Sequence, residues 1–397
     1  MIETKFKKSE VGLIPEDWED IEVGHIANLI QTGPFGSQLH QSDYITVGIP
    51  VVMPKDLVDG RISDTSIARV SKENVERLKR HKIKEGDFLF ARRGDVGRCA
   101  LTSKKEVGWL CGTGCFRVSI DKKKCDINYL YYQLQRKETV EWIVSKAIGS
   151  TMLNLNTSIL SQIPFIQPES IAEQSRIAEA LSDIDDLIST TKKLIEKKRN
   201  IKEGAMQDLL SGKRRLSGFK EKWQNTTVSK ITGKISRGQT LTSDEFSFGN
   251  VPVMAGGKQY AGYHNVANQK GRTITISGSG ASAGFVYLHN TPIFATDCSV
   301  ISESKDYSLD FMFYILSAKQ EDLYKLQTGG AQPHVYPRDI ENIELFIPKD
   351  IKEQRAIAGV LSDIDSDISS LESRLVKYQS LKQGMMQQLL TGKIRLI

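Results

Sequence analysis

The sequence predicts an α+β protein: two mixed, mainly β domains, separated by a pair of long antiparallel coiled-coil helices and related by a pseudo-twofold axis. The first observation is an internal repeat, because residues 173–216 return as residues 353–396 with 22 of 44 positions identical. The second is that each copy has the apolar periodicity of a long helix. The third is that short apolar runs between glycine-rich turns, typical of strands, precede each copy. The chain therefore alternates variable and repeated segments.

Both repeated segments place apolar residues at alternating intervals of four and three, the pattern of a coiled-coil seam. In the second copy the predicted pairing residues are Ile357, Leu361, Ile364, Ile368, Leu371 and Leu375. In the first copy they are Ile177, Leu181, Ile184 and Ile188, after which the seam becomes more polar. A helix of about 40 residues spans roughly 60 Å and needs a partner for its apolar face. The nearest partner is the other repeat, and the helices are predicted to end at Gly212 and Gly392.

The variable halves resemble each other more weakly. Trp18 and Trp223 each open a stretch of apolar alternation that contains a glycine, and residues 49–52 correspond to residues 251–254. Each half closes with a predicted amphipathic helix, near 127–149 and 309–330, and a short apolar strand then leads into the long helix. The predicted segments are a first mainly β domain over 1–168, a central helix over 169–216, a second mainly β domain over 217–348 and a distal helix over 349–397.

Composition narrows the class of protein without identifying it. The net charge of +6 permits binding to a polyanion but does not establish it. No run of 18 apolar residues occurs and no secretory signal is recognisable, so a membrane span or secretion is not expected. The odd number of cysteines, five, favours reduced thiols in a cytoplasm. Cys111, Cys115 and Cys125 resemble half a zinc site, but their loose spacing without histidine favours buried structural thiols, and no metal is expected.

The repeats and their flanks resemble a known family. The segments IAEQSRIAEALSDID and LLSGKRRL, their copies IKEQRAIAGVLSDID and LLTGKIRL, and the tryptophan that opens each variable half carry the resemblance. The segment GGKQYAGYHN over 256–265 is also similar to recognition domains of that family. The chain thus looks like the DNA-specificity subunits of type I restriction–modification systems, often called HsdS. The resemblance covers essentially all of its length.

The resemblance implies a non-catalytic subunit that decides where its partners act. Each variable half would be a target-recognition domain that binds one half of a split site in double-stranded DNA, and the paired helices would set the length of the unread spacer. Two adenine-N6 methyltransferase subunits would dock on the chain, and restriction subunits would join them. S-adenosylmethionine, ATP and Mg²⁺ would bind to those partners, so no cofactor is expected in this chain, and the complex would be cytoplasmic.

In the first domain, two loops are candidates for DNA contact. Arg92, Arg93 and Arg98 lie in a glycine-containing loop after an apolar run, where arginine could bond guanine O6 and N7 or hold a phosphate. The alternative is a solvated basic turn. The loop after the closing helix offers the hydroxyl and amide groups of Ser150, Thr151 and Asn154.

In the second domain, the candidates combine hydrogen-bond donors with aromatic faces. They are Lys258, Tyr260, Tyr263, His264, Ser279, His334, Tyr336 and Arg338. The alternative is that these are ordinary turns whose tyrosines pack inwards. The glycine-rich segment 277–284 has the spacing GxGxxxG and no helix signal after it, so a dinucleotide site is not expected and a turn close to the DNA backbone is favoured.

The motifs that catalysis would require do not occur in the sequence. There is no Asn-Pro-Pro of an adenine methyltransferase, no P-loop, and no Pro-Asp start of a common nuclease site. Two alternatives remain: a divergent duplicated enzyme, which would bind S-adenosylmethionine, and a protein-binding scaffold that does not bind DNA. The basic clusters 122–124, 197–199 and 213–215 could meet phosphate, but interspersed acids make solvated helix faces and turns at least as good an interpretation.

Overall fold

A computed structural model describes residues 5–9, 12–35, 37–149, 153–241 and 249–397. The chain forms two compact units. The first consists of Met1–Thr190 with Leu375–Ile397, and the second consists of Thr191–Arg374. Each unit therefore contains one mainly β domain and a part of each long helix.

The first unit is a mixed α/β structure. Its strands are β1 (Phe6–Ser9), β2 (Gly12–Pro15), β3 (Trp18–Glu22), β4 (Ala27–Thr32), β5 (Tyr44–Ile45), β6 (Ile49–Val52), β7 (Leu57–Val58), β8 (Arg61–Ile62), β9 (Ala68–Val70), β10 (Phe88–Ala91), β11 (Cys99–Leu101), β12 (Leu110–Cys111), β13 (Cys115–Ile120) and β14 (Pro164–Pro168). Its helices are α1 (Val23–Ile26), α2 (Lys72–Arg77), α3 (Ile127–Leu134), α4 (Lys137–Lys146), α5 (Thr157–Ser161) and the start of α6 (Ile171–Leu210).

Two four-stranded sheets form the body of the first unit. One is antiparallel in the order β11-β10-β13-β4, and the other has the order β12-β6-β9-β5 with β12 parallel to β6. Every residue of β10 is buried, and Phe88, Phe90 and Phe116 pack in one core with Tyr129 of α3. Strand β14 pairs antiparallel with β3 and leads directly into α6.

The second unit has fewer elements. Its strands are β15 (Trp223–Thr227), β16 (Ser236–Arg237), β17 (Val251–Met254), β18 (Tyr260–His264), β19 (Thr273–Ser277), β20 (Val286–His289), β21 (Phe294–Ala295), β22 (Cys298–Ser302) and β23 (Glu344–Pro348). Its helices are α7 (Val228–Thr232), α8 (Leu309–Ala318), α9 (Gln320–Lys325), α10 (Pro337–Glu341), the end of α6 and the start of α11 (Ile351–Leu389).

The two units share a topology, as the weak similarity of the variable halves predicts. The sheet β20-β19-β22-β16 repeats the order β11-β10-β13-β4, and β17 pairs in parallel with β21 as β6 does with β12. Trp223 lies opposite Pro348 as Trp18 lies opposite Pro168. The predicted fold class is confirmed: mainly β domains alternate with long helices along the chain.

The long helices pair antiparallel inside each unit. In the second unit Lys198 binds Asp367 and Lys202 binds Asp365, both at 2.6 Å, so the partner number falls as the helix number rises. In the first unit Lys382 binds Asp185 at 2.6 Å. All ten predicted pairing residues are shielded. Buried are Ile177, Leu181, Ile184, Ile357, Leu361, Ile368 and Leu371, and half-buried are Ile188, Ile364 and Leu375.

The predicted C-terminal glycine signals are confirmed, because the long helices end at Leu210 and Leu389 and are followed by Gly212 and Gly392 with positive φ of 72° and 70°. The prediction of the closing helices is wrong. Each single closing helix is in fact two, α3 with α4 and α8 with α9. The first break lies at Arg136, whose backbone is extended and caps α4. No glycine or proline marks that break, so apolar periodicity alone could not reveal it.

An arginine clamp explains why the repeat includes its basic tail. In the first unit Arg395 donates to both carboxylate oxygens of Glu173, at 2.6 and 2.7 Å. In the second unit Arg215 does the same to Glu353, at 2.9 and 2.6 Å. The tail that follows one long helix thereby closes on the start of the other. The repeated Glu and Arg positions are therefore structural.

All five cysteines are buried and unbridged, as expected of structural thiols. Burial raises the pKa of the Cys111 thiol to about 12, so this side chain stays protonated near neutrality. Among the described residues no helix is long and apolar enough to cross a membrane.

Candidate nucleic-acid interface

In the first unit, two candidate loops meet at one end of the antiparallel sheet. The turn that follows β10 places Arg93 opposite Asn154 in an antiparallel bridge, and Asn154 also pairs with Ile148. Two backbone bonds of 2.8 and 2.9 Å close the Ile148–Asn154 loop, and the Leu155 N–H donates to the Arg92 carbonyl at 2.9 Å. Residues that are about 60 positions apart in the chain thus present their side chains together.

The arginines of this turn differ in their surroundings. Arg93 is exposed, whereas Arg92 is half-buried with its guanidinium 5.1 Å from the centre of the Phe35 ring. Partial burial, and then the charge of Arg93, lower the pKa of Arg92 below its ordinary value. Arg98 donates to Asp95 in its own loop at 2.7 Å. An arginine stacked on an aromatic face is attracted to it and held in place there.

Two candidates of the first domain, Ser150 and Thr151, lie outside the described residues. Phe35 is a neighbour that sequence reasoning missed. It follows the Gly33-Pro34 pair and is half exposed. The signal available in the sequence was an aromatic residue placed directly after a Gly-Pro pair.

The second unit repeats this loop pairing. Ser279, in the turn after β19, lies opposite His334, and His334 pairs with Thr328. The bonds match those of the first unit: the Thr328 and His334 backbones exchange bonds of 2.8 and 2.9 Å, and the Val335 N–H donates to the Gly278 carbonyl at 3.0 Å. The equivalent pair of bridged loop positions therefore carries arginine and asparagine in the first unit, and serine and histidine in the second.

Three side chains at the start of α10 and in the loop before it form a stack. The His334 and Tyr336 rings are nearly parallel, with centres 6.2 Å apart, and the Arg338 guanidinium lies 5.4 Å from the Tyr336 centre. Tyr336 is 37% exposed, so it is only partly packed inwards. The stack presents an aromatic surface with a cation, which suits contact with DNA sugars, bases or phosphates.

The GGKQYAGYHN segment, residues 256–265, forms the turn that follows β17 and the strand β18. Tyr263 is exposed, and Lys258 lies over the ring of Phe285, 5.2 Å from its centre. Tyr260 is 39% exposed and its hydroxyl lies 3.4 Å from Nδ1 of His289. His264 faces inwards along its own turn, where its Nδ1 accepts from the Val266 N–H at 3.1 Å.

The glycine-rich segment 277–284 is a turn between β19 and β20, and no helix follows it. A Cβ on Gly256 would lie 2.8 Å from the Ser279 carbonyl oxygen, so the first glycine of GGKQYAGYHN permits the two segments to approach.

Sequence reasoning also missed Arg237 and Asp297, which lie beside Ser279. Arg237 Nη2 donates to Asp297 Oδ1 at 3.0 Å, and the Ser279 hydroxyl donates to Asp297 Oδ2. Asp297 is one of two described non-glycine residues with positive φ, at 41°. A conformation that aspartate rarely adopts was not readable from the sequence.

The basic clusters are mostly engaged within the protein. Lys198 and Arg199 bind Asp367 and Glu372 of α11, each at 2.6 Å, and Arg215 is part of the clamp on Glu353. These contacts favour the structural interpretation of clusters 197–199 and 213–215. The described residues contain no group of three or more His, Cys, Asp or Glu side chains that could hold a metal ion.

Comparisons with known proteins agree on one family. Residues 15–197 and 211–377 match the family model described as the type I restriction modification DNA specificity domain. The chain is 27% identical, over 99% of its length and 97% of the relative, to a putative type I restriction enzyme MjaX specificity subunit of Methanocaldococcus jannaschii. It is 25% identical to a putative type I specificity subunit of Mycoplasma pneumoniae, over 73% of this chain and 80% of the relative.

A solved structure has the same fold. It is the S subunit of the type I restriction–modification system of M. genitalium, with a TM-score of 0.69 and 19% identity over 98% of this chain and 99% of the other. The resemblance inferred from the repeats is confirmed. The chain therefore belongs to the type I restriction–modification DNA-specificity family, whose members are non-catalytic specificity subunits.

Proposed function

We propose that this chain binds a bipartite site in double-stranded DNA, one half-site per unit, and directs the enzymes of a type I restriction–modification complex to it. The repeated loop pairing carries this proposal. Arg93 opposite Asn154 in one unit, and Ser279 opposite His334 in the other, occupy equivalent frames with different side chains. One fold that carries different side chains at equivalent loops suits the reading of two different half-sites.

The energetics favour two readers over one. A good side-chain contact to a base discriminates by about 1–3 kcal/mol, so a single small loop cluster specifies only a few base pairs. When two readers are linked, binding of the second becomes intramolecular, and sites with the wrong spacing are rejected because both readers cannot engage. We assign to α6 and α11 the role of setting the length of the unread spacer, on the support of their antiparallel ion pairs.

Catalysis is assigned to partners. In this proposal two adenine-N6 methyltransferase subunits dock on the chain and restriction subunits join them in a cytoplasmic complex. S-adenosylmethionine, ATP and Mg²⁺ bind to those partners and the specificity chain needs no cofactor. A base that is methylated must leave the stack, so the reader need only place the enzyme over the right adenine. Family membership supports this division of labour.

A domain exchange tests the proposal. Methylated adenines are mapped across the genome of a host that carries the intact system, first with this chain and then with residues 17–168 replaced by the corresponding domain of another family member. We expect a split motif with an unread gap, of which the exchange alters one half only. The reciprocal exchange of residues 217–348 is the matched control and should alter the other half. Change of both halves by either exchange contradicts the assignment of one unit to each half-site.

A further inference from the structure

Arg237 lies at the same end of its sheet as Arg92 does in the first unit, but on a different element: it is equivalent to Thr32. Strand β16 pairs with β22 so that Arg237 lies opposite Ser299, and the equivalent pair in the first unit is Thr32 opposite Phe116. The residue equivalent to Arg92 is Gly278. The Arg92 N–H donates to the carbonyl of Gly114, just before β13, and the Gly278 N–H donates to the carbonyl of Asp297, just before β22.

Each unit thus has an arginine at the same end of its own sheet, but the arginine belongs to a different element in each. In the first unit the turn after β10 carries Arg92. The positions equivalent to Arg237 and Asp297, on β4 and just before β13, are occupied by Thr32 and Gly114. In the second unit the turn begins with Gly278, and the arginine comes from the edge strand instead. A Cβ on Gly278 would lie 2.8 Å from the Asp297 carbonyl oxygen and 3.3 Å from its Oδ1, so the glycine allows Asp297 to approach.

Asp297 holds this arginine from a backbone conformation that few aspartates adopt. Its φ of 41° is in the left-handed region, and its carbonyl accepts from the Gly278 N–H at 2.9 Å. Its two carboxylate oxygens accept from Arg237 and from the Ser279 hydroxyl. Strain of this kind persists where surrounding contacts enforce it, and it concentrates at functional sites.

The guanidinium retains donors for a ligand. Arg237 is 54% exposed, and among the described residues only its Nη2 donates, to Asp297 at 3.0 Å. Nη2 has a second hydrogen and Nη1 has two, so a parallel pair of N–H groups remains. That pair matches the O6 and N7 acceptors of guanine in the major groove.

We propose that Arg237 is a base-reading arginine of the second unit, with guanine as its target and Asp297 as the residue that positions it. The inference rests on the proposed function and deepens it, because it names a residue and a base. Ser279 acts through Asp297 in this arrangement, as a second positioning residue.

The test uses the full chain in complex with its methyltransferase subunits. Methylation rates are measured on duplexes in which each base pair of the mapped site is varied in turn, for the wild type, Arg237→Ala, Arg237→Lys and Asp297→Asn. Arg272→Ala is the matched control, since Arg272 binds Asp310 in the same unit but at the other end of β19. Thermal unfolding of each variant shows that the unit still folds.

With Arg237→Ala we expect the preference for one G·C pair in one half-site to fall about 5- to 150-fold, while the other half-site is unchanged. Arg237→Lys should lose the same preference because an ammonium cannot donate bidentately. Asp297→Asn should weaken it at that same base pair, which a merely structural role would not do. The control should keep the wild-type profile.

Two results overturn the assignment. One is an Arg237→Ala profile in which every base-pair preference survives while the wild type shows a bipartite site. The other is a uniform loss of rate with a lower salt slope, which marks a phosphate contact. A wild-type complex without any bipartite site would instead overturn the proposed function, and this inference with it.

Discussion

Replacing Arg395 with methionine should destabilise the first unit through a buried carboxylate. Arg395 supplies both hydrogen bonds that the Glu173 carboxylate accepts from described residues, and the Glu173 side chain is 3% exposed. Methionine keeps an apolar stem of similar length but no donor. The carboxylate is then left buried and unpaired.

The expected cost is about 3–5 kcal/mol, the usual cost of breaking a buried ion pair by removing one partner. The second partner of Arg395, Asp17, contributes little to this figure because it is 58% exposed, and exposed pairs contribute about 0.2–1 kcal/mol. Combining Arg395→Met with Glu173→Leu should restore most of the stability, because it removes the uncompensated charge.

Hydrogen exchange read by mass spectrometry in increasing urea is the appropriate assay, since peptides report each unit separately. The matched variant is Arg215→Met, which removes the equivalent arginine from Glu353, whose side chain is fully buried and keeps one hydrogen bond, from Trp223 Nε1 at 3.2 Å. Arg395→Met should lower protection in peptides of the first unit, and Arg215→Met in peptides of the second. The reasoning is refuted if either loss is below about 1 kcal/mol, or if the Glu173→Leu double variant is no more stable than Arg395→Met alone.

Three further predictions test other parts of the structure. Gly392→Ala should lower the free energy of unfolding by about 1–3 kcal/mol more than Gly212→Ala does, as measured by thermal unfolding. Both glycines have φ near 70°, but a Cβ on Gly392 would lie 2.4 Å from a proline carbon, whereas the atom nearest to a Cβ on Gly212 is at 3.3 Å. Equal losses would contradict this prediction. Burial lowers the pKa of His289 to about 4. Between pH 6.5 and 4 the unfolded chain therefore takes up a proton that the folded chain does not, and the free energy of unfolding should fall as the pH falls through that range. A His289→Gln chain with an equally steep pH profile would exclude this residue as the cause. Arg93→Ala should make the slope of log affinity against log salt concentration less steep by about one, when the chain binds DNA together with its partner subunits. An unchanged slope would show that this exposed arginine does not contact phosphate.

Pairing of the long helices was readable from the sequence because a coiled-coil seam is a local pattern. Ile357 and Leu361 are fully buried where the four–three spacing predicts contact. The fold class and family followed from the repeat for the same reason. The repeat also contained the clamp residues Glu173 and Arg395, but their identity alone did not distinguish an ion pair from a basic DNA contact.

The candidate site was predicted only in part. Arg93 and Asn154 were both predicted as candidates from their loops. About 60 residues separate them in the chain, and only the tertiary fold brings them into one bridge. Arg237 and Asp297 are likewise 60 residues apart, and only the pairing of β16 with β22 brings them together. Arg237 lies in the glycine-containing stretch after Trp223, but that stretch was singled out for its similarity to the first half and not as a site of DNA contact.

The sequence by itself determined the duplicated plan, the two long helices with their apolar seams, and the family, since these depend on periodicity and on motifs within short stretches. The tertiary structure alone decided which loops meet, where the closing helices break and which basic residues are held by carboxylates. The physical reason is that such contacts arise from long-range strand pairing and burial, whose partners no local pattern specifies.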